Sequence, residues 1–219
     1  MSCSIWKFAA ALLAASYISG YGATIVSVTG SVTGGPGLGT APRQQIGAVA
    51  FSAPVPLVNA DIEVTLNVLS AETITAWLTN QIGPGTTAAN VIASDTFSPG
   101  TLGDSQYAAL PPISAAAGTY YLVLAAVGAS NEVGWDSTDT PVITGIGTYI
   151  SSQSASETAP FPFGPAGDFT PEAQTLLFQV SSSTTAVPEP APDGMFAAAL
   201  IALAAARRRR RRAPGVPSF

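Results

Sequence analysis

Residues 61–68 read DIEVTLNV, and every second position is apolar: Ile62, Val64, Leu66 and Val68 alternate with Asp61, Glu63, Thr65 and Asn67. A period of two sends successive side chains to opposite faces of an extended chain, so this segment is a strand with one buried and one wet face. The period returns in TITAWLTN (73–80), where Ile74, Ala76 and Leu78 oppose Thr73, Thr75, Trp77 and Thr79. GTYYLVLAAVG (118–128) is apolar on both faces and is expected at the centre of a sheet. AQTLLFQVSS (173–182) turns Leu176, Phe178 and Val180 inward and closes the domain. Weaker strand signals lie at 24–33, 45–52, 91–97, 106–110 and 140–150. Turn-forming clusters such as TGGPGLG, IGPGTT, SPGTLG and FPFGPAG separate many of these segments. Seven to ten short strands without a helical period predict an all-β fold, an antiparallel β-sandwich of jelly-roll or immunoglobulin-like type. No internal repeat points to a solenoid or propeller.

The 219-residue chain divides into a β domain at 24–180, a Ser/Thr spacer at 181–186 and a signal at each end. Residues 24–186 carry eleven acidic groups against the single Arg43, a net charge of −10. That field repels phosphate backbones, so nucleic acid is not an expected partner; divalent cations and neutral polymers suit it better. The one cysteine, Cys3, lies in the leader, so no disulfide staples the body, and its fold rests on strand pairing and burial.

Residues 1–23, MSCSIWKFAAALLAASYISGYGA, place Lys7 before an apolar run from Phe8 to Ala15 and then small residues, the order of a secretory signal peptide. The tail reverses that order. Met195–Ala206 is uncharged and helix-favouring, and Arg207, Arg208, Arg209, Arg210, Arg211 and Arg212 follow it. Twelve helical residues span about 18 Å, short of the ~30 Å hydrocarbon core, and arginines that snorkel to the headgroups shorten the deficit. Basic clusters stay on the cytoplasmic side, so the body is expected on the other. Pro188 and Pro190 keep the segment before the apolar run extended and open to an enzyme at the membrane face.

Val187-Pro188-Glu189-Pro190, an apolar stretch and an arginine cluster, together spanning 187–212, resemble the PEP-CTERM sorting domain of bacterial exosortase substrates. The resemblance implies recognition at Val187–Pro190 by an exosortase, an integral-membrane enzyme thought to act as a cysteine transpeptidase. It further implies a transient inner-membrane intermediate held by the short transmembrane helix, removal of that helix, and delivery to the cell surface or extracellular matrix. The apolar stretch here is short, Asp193 interrupts its start, and residues 213–219, APGVPSF, trail the arginines.

The body has no histidine, cysteine or lysine, which excludes Ser-His-Asp triads, histidine metal sites, thiol nucleophiles, Schiff bases and nucleotide-loop lysines. Gly-rich pieces such as TGGPGLGT therefore read as turns. Carboxylate chemistry survives, chiefly glycoside hydrolysis by an Asp/Glu pair, although no signature singles out two residues. SNEVGWDSTDT (130–140) gathers Asn131, Glu132, Asp136 and Asp139 with Trp135 in one expected loop. Those oxygens suit calcium, and Trp135 suits stacking on a sugar ring; the alternative is a solvated acidic turn with Trp135 covering the core edge. Trp77, on the polar side of its strand, is a second stacking candidate, or else packs beneath a covering loop. The expected function is a non-catalytic, surface-sorted component of an extracellular polysaccharide matrix. A secreted glycosidase and a calcium-stabilised carbohydrate-binding module are the alternatives.

Overall fold

The computed structural model describes residues 22–39, 44–70, 72–126, 133–157 and 163–183. The strands in chain order are β1 (Ala23–Thr29), β2 (Gly37–Leu38), β3 (Gln44–Ala53), β4 (Leu57–Val68) and β5 (Ile74–Thr79). They continue with β6 (Val91–Phe97), β7 (Gly103–Ala115), β8 (Gly118–Ala126), β9 (Val133–Trp135) and β10 (Ser137–Thr138). The last are β11 (Val142–Thr144), β12 (Thr148–Glu157), β13 (Thr170–Pro171), β14 (Thr175–Leu176) and β15 (Phe178–Ser182). Two single 3₁₀ turns, Ala88–Asn90 and Gly164–Ala166, are the helical elements among the described residues.

Among the described residues all strand pairings are antiparallel. One sheet runs β11-β1-β15-β4-β9-β2, with β7 on the opposite edge of β4; a second runs β13-β12-β3-β8-β5-β6. β10 and β14 form a small third sheet. The alternation in β4 is realised as expected: Ile62, Val64, Leu66 and Val68 are all at most 1% exposed. They meet Val49, Phe51, Ile74, Leu78, Leu122 and Leu124 of the second sheet in one continuous core. The ring pair Phe51–Phe178, with centroids 5.8 Å apart, ties the sheets together.

β8 lies between β3 and β5 and is buried on both faces. Leu122 and Leu124 face the main core, whereas Val123 and Ala125 join Ile46, Ala48 and Ala155 in a smaller cluster on the other side of the sheet. Trp77, Ile82, Tyr121 and Phe169 cover that cluster.

Several boundaries differ from the sequence expectation. Ala23, assigned to the leader, is the first residue of β1 and pairs with Ser182. Ser181 and Ser182, assigned to the spacer, belong to β15 and pair with Asp61 and Ala60. Ser182 is 1% exposed, and its hydroxyl accepts from Val58 N at 2.8 Å, so local hydrogen bonding holds a segment whose composition reads as linker. The 140–150 signal resolves into β11 and the start of β12, which continues through the serine-rich SSQSASE to Glu157. The glycine run TGGPGLG is partly strand: Gly34 bridges Ser137, and Gly37 and Leu38 pair with Gly134 and Val133. A β-carbon at Gly35 would overlap the Trp135 carbonyl, so glycine there permits close backbone approach as well as turning.

Candidate functional site

The expected acidic loop is organised by strands. Val133, Trp135, Ser137 and Thr138 are buried, because Val133–Trp135 pairs with Leu66–Val68 of β4 and Ser137–Thr138 pairs with Thr175–Leu176. Trp135 therefore does not stack on a ligand. It is 0% exposed, points into the core opposite Leu66, and donates its indole N–H to Leu177 O at 2.9 Å. Three residues of alternation are too short a signal to distinguish such a strand from a loop.

Asp136, the next residue, takes the opposite pleat. Its N–H donates to Thr65 O at 3.0 Å, which sets it beside Thr65 on the outward side of β4. Thr33–Pro36 and Leu176–Leu177 bond the chain around it, and it is only 2% exposed. Its Oδ2 has no hydrogen-bond partner. Burial pushes this carboxyl up to about 6, and the negative charge of Asp104 adds to the rise.

Asp139 is exposed and turned elsewhere: Gln174 Nε2 donates to its Oδ1 at 3.2 Å. Gln174 thus engages the Asp139 carboxylate but not that of Asp136, and Glu132 lies outside the described residues. No group of three or more His, Cys, Asp or Glu converges among the described residues.

Trp77 is half-buried. Phe163 meets its ring edge-on, with centroids 6.1 Å apart, and a β-carbon at Gly164 would come within 2.8 Å of its Cζ3. The ring is the floor beneath the 163–169 segment, the covering-loop alternative rather than an open stacking surface.

A cleft of about 380 Å³ is lined by Gly35–Gly37, Gln45, Ser154–Ser156, Glu172 and Gln174. It lies where β2, β3, β12 and the chain before β14 adjoin. Ser154 donates its hydroxyl to Glu172 Oε1, and Ser137 donates to Gln174 Oε1 at 2.9 Å. Through Gln174 the cleft also reaches Asp139. Two amides, two hydroxyls and one carboxylate are hydrogen-bonding groups of the type that recognise neutral polyols, and Glu172 is the one ionisable side chain in this described lining. Sequence reading missed this site because Gln45 and Ser154 lie far from each other and from the Glu172–Gln174 pair in the chain, and the four carry no motif.

Val187–Pro190 and Arg207–Arg212 lie outside the described residues, as do residues 1–21. Among the described residues no helix is long and apolar enough to cross a membrane. Comparison with protein-family models and with curated protein sequences returns no match.

Proposed function

We propose that this is an exported bacterial protein, sorted to the cell surface by its tail, whose β domain serves as a non-catalytic component of an extracellular polysaccharide matrix. One observation carries the sorting reading: Val187-Pro188-Glu189-Pro190, the apolar run and Arg207–Arg212 occur in the order that an exosortase substrate requires. In this reading the apolar helix halts in the inner membrane, the arginines stay inside, and the exosortase removes the tail.

For the body we propose a jelly-roll sandwich. Its support is the strand order β1-β15-β4-β7 in one sheet against β3-β8-β5-β6 in the other, with the chain crossing between sheets at most connections. The polysaccharide contact is assigned to the cleft at Gln45, Ser154, Glu172 and Gln174. A non-catalytic role is supported by that lining, since glycoside hydrolysis uses two carboxylates facing one substrate.

The test is replacement of Arg207–Arg212 by serine in the producing cell. The expected outcome is loss of membrane retention and of C-terminal processing. Unchanged processing and location would overturn the sorting reading.

A further inference from the structure

Val142, Ile143, Ile146 and Ile150 fall in one short stretch of chain, and each is between 46 and 57% exposed. β11 ends the first sheet: it pairs with β1 on one side, and no described strand pairs with its other side. Residues 145–147 prolong this edge along β1. Ile146 N–H donates to Thr24 O at 3.2 Å, and Gly147 N–H donates to Ile25 O at 2.6 Å. A β-carbon at Gly145 would overlap Ile25 O, and one at Gly147 would overlap Ser52 O. The turn therefore lies tight against β1 and β3 and holds Ile146 outward on a fixed frame. β12 follows, and β13 pairs with it only at Gln153 and Ser154. Ile150 is the extra residue of a bulge between Tyr149 and Ser151, ahead of that pairing.

Ile143 pairs with Val28, which is buried, and directly paired residues share a face of the sheet. Ile143 thus stands on the core side yet keeps about half its surface in solvent, so the apolar interior reaches the surface at this edge. The other outer strands are guarded. β6 carries Asp95, β7 carries Asp104 with Pro111 and Pro112, β13 carries Pro171, and β2 is only two residues long. Charge, proline and brevity are the devices that keep a strand edge from pairing with another chain. Residues 140–156, by contrast, contain no Asp, Glu, Lys or Arg, and Pro141 stands before β11 rather than within it.

We propose that this edge joins two copies of the protein. β11 pairs antiparallel with β11 of a second copy about a two-fold axis, with Ile143 opposite its counterpart and Val142 opposite Thr144. Ile146 and Ile150 add apolar area at the margin of the seam. The occupant is a second copy because an antiparallel strand edge is complementary to itself under two-fold symmetry. Charge points the same way. Two bodies of net charge −10 repel each other, and the charge-free 140–156 segment is where they approach at least cost. Three residues of edge make a small interface, so the association is weak, in the micromolar to millimolar range. Its side chains are already held in place by the sheet, which limits the ordering cost of binding. A matrix component is concentrated at one surface, where a weak contact suffices, but the pairing itself does not depend on the sorting reading.

The experiment is sedimentation of the full-length protein over a concentration series, with the parent expected to pass from monomer to dimer. Ile143→Glu sets like charges opposite each other and should weaken the association about tenfold. Val142→Glu, on the outward face, should act in the same direction without touching the core side. Leu102→Glu, at an exposed apolar position in the β6–β7 turn, should leave the association unchanged, which separates the β11 edge from any contact made elsewhere in the chain. Ile143→Cys in a Cys3→Ser chain should form an intermolecular disulfide on mild oxidation, because directly paired residues have Cα atoms about 4.5–5.5 Å apart, within disulfide reach. A parent that stays monomeric up to about 1 mM would overturn the proposal. So would association that survives both glutamate variants, or an Ile143→Cys chain that forms no linked dimer.

Discussion

Trp135 and Gly47 meet across the sandwich: a β-carbon at Gly47 would stand 2.8 Å from Trp135 Cε3 and 3.4 Å from Cζ3. The indole of β9 thus fills the space that β3 leaves by having no side chain there. Its N–H is anchored to Leu177 O, so the ring cannot yield.

Gly47→Ala is therefore expected to destabilise the protein by about 1–3 kcal/mol, the cost of overpacking a well-filled core. Trp135→Phe removes the hydrogen bond to Leu177 and leaves a small cavity, and it should cost a similar amount. Denaturant unfolding checks both. Equal stability of Gly47→Ala and the parent would mean that the ring does not occupy this space.

The packing of Trp77 separates a structural role from a binding one. Trp77→Ala is expected to cost about 2 kcal/mol, less than for a fully buried tryptophan, through loss of the Phe163 and Gly164 contacts. It should leave polysaccharide retention unchanged. Gln45→Ala combined with Gln174→Ala, in the cleft, should reduce retention severalfold with little change in stability. Affinity electrophoresis in matrix polysaccharide distinguishes the two; the reverse pattern would move the binding site to Trp77.

Asp136 gives the protein a particular pH dependence. Its folded-state value, about 6, lies above the ordinary 3.8, so between these values the folded chain binds more protons than the unfolded one. The contribution of this group to stability is thus present in acid, is lost as pH rises from about 4 to about 6, and is absent above that. The full difference is at most about 3 kcal/mol. Burial is the larger cause of the rise and the negative charge of Asp104 the smaller; Glu63 lies on the same outward pleat of β4. Asp136→Asn should flatten the profile of stability against pH over this window. An unchanged slope would show that Asp136 is not the group responsible.

The strands were legible where alternation ran long enough to exclude other readings. β4, β5 and β8 follow directly from the placing of Ile62–Val68, Ile74–Leu78 and the two-faced Tyr120–Ala126, while β6 matches the weaker 91–97 signal. β12 was obscured because Ser152 and Ser154 occupy strand positions where apolar residues would announce a core; Ser152 is buried, with its hydroxyl accepting from Leu176 N at 2.9 Å. β9 and β10 were obscured by brevity, and their burial depends on partners in β4 and β14 that only the fold supplies. The same reason hid the cleft and the Asp104–Asp136 relationship. Asp104, whose charge adds to the rise of the Asp136 carboxyl, stands 32 positions from it in the sequence and comes near it only through the strands that flank β4.

Sorting by the tail requires that the tail be removed. C-terminal peptide mass spectrometry of the extracellular form reads this directly. The expected result is a β domain recovered through Ser182 and a chain that ends within or just beyond Val187–Pro190, with no peptide from Met195–Arg212. An extracellular protein that still carries Arg207–Arg212 would contradict it.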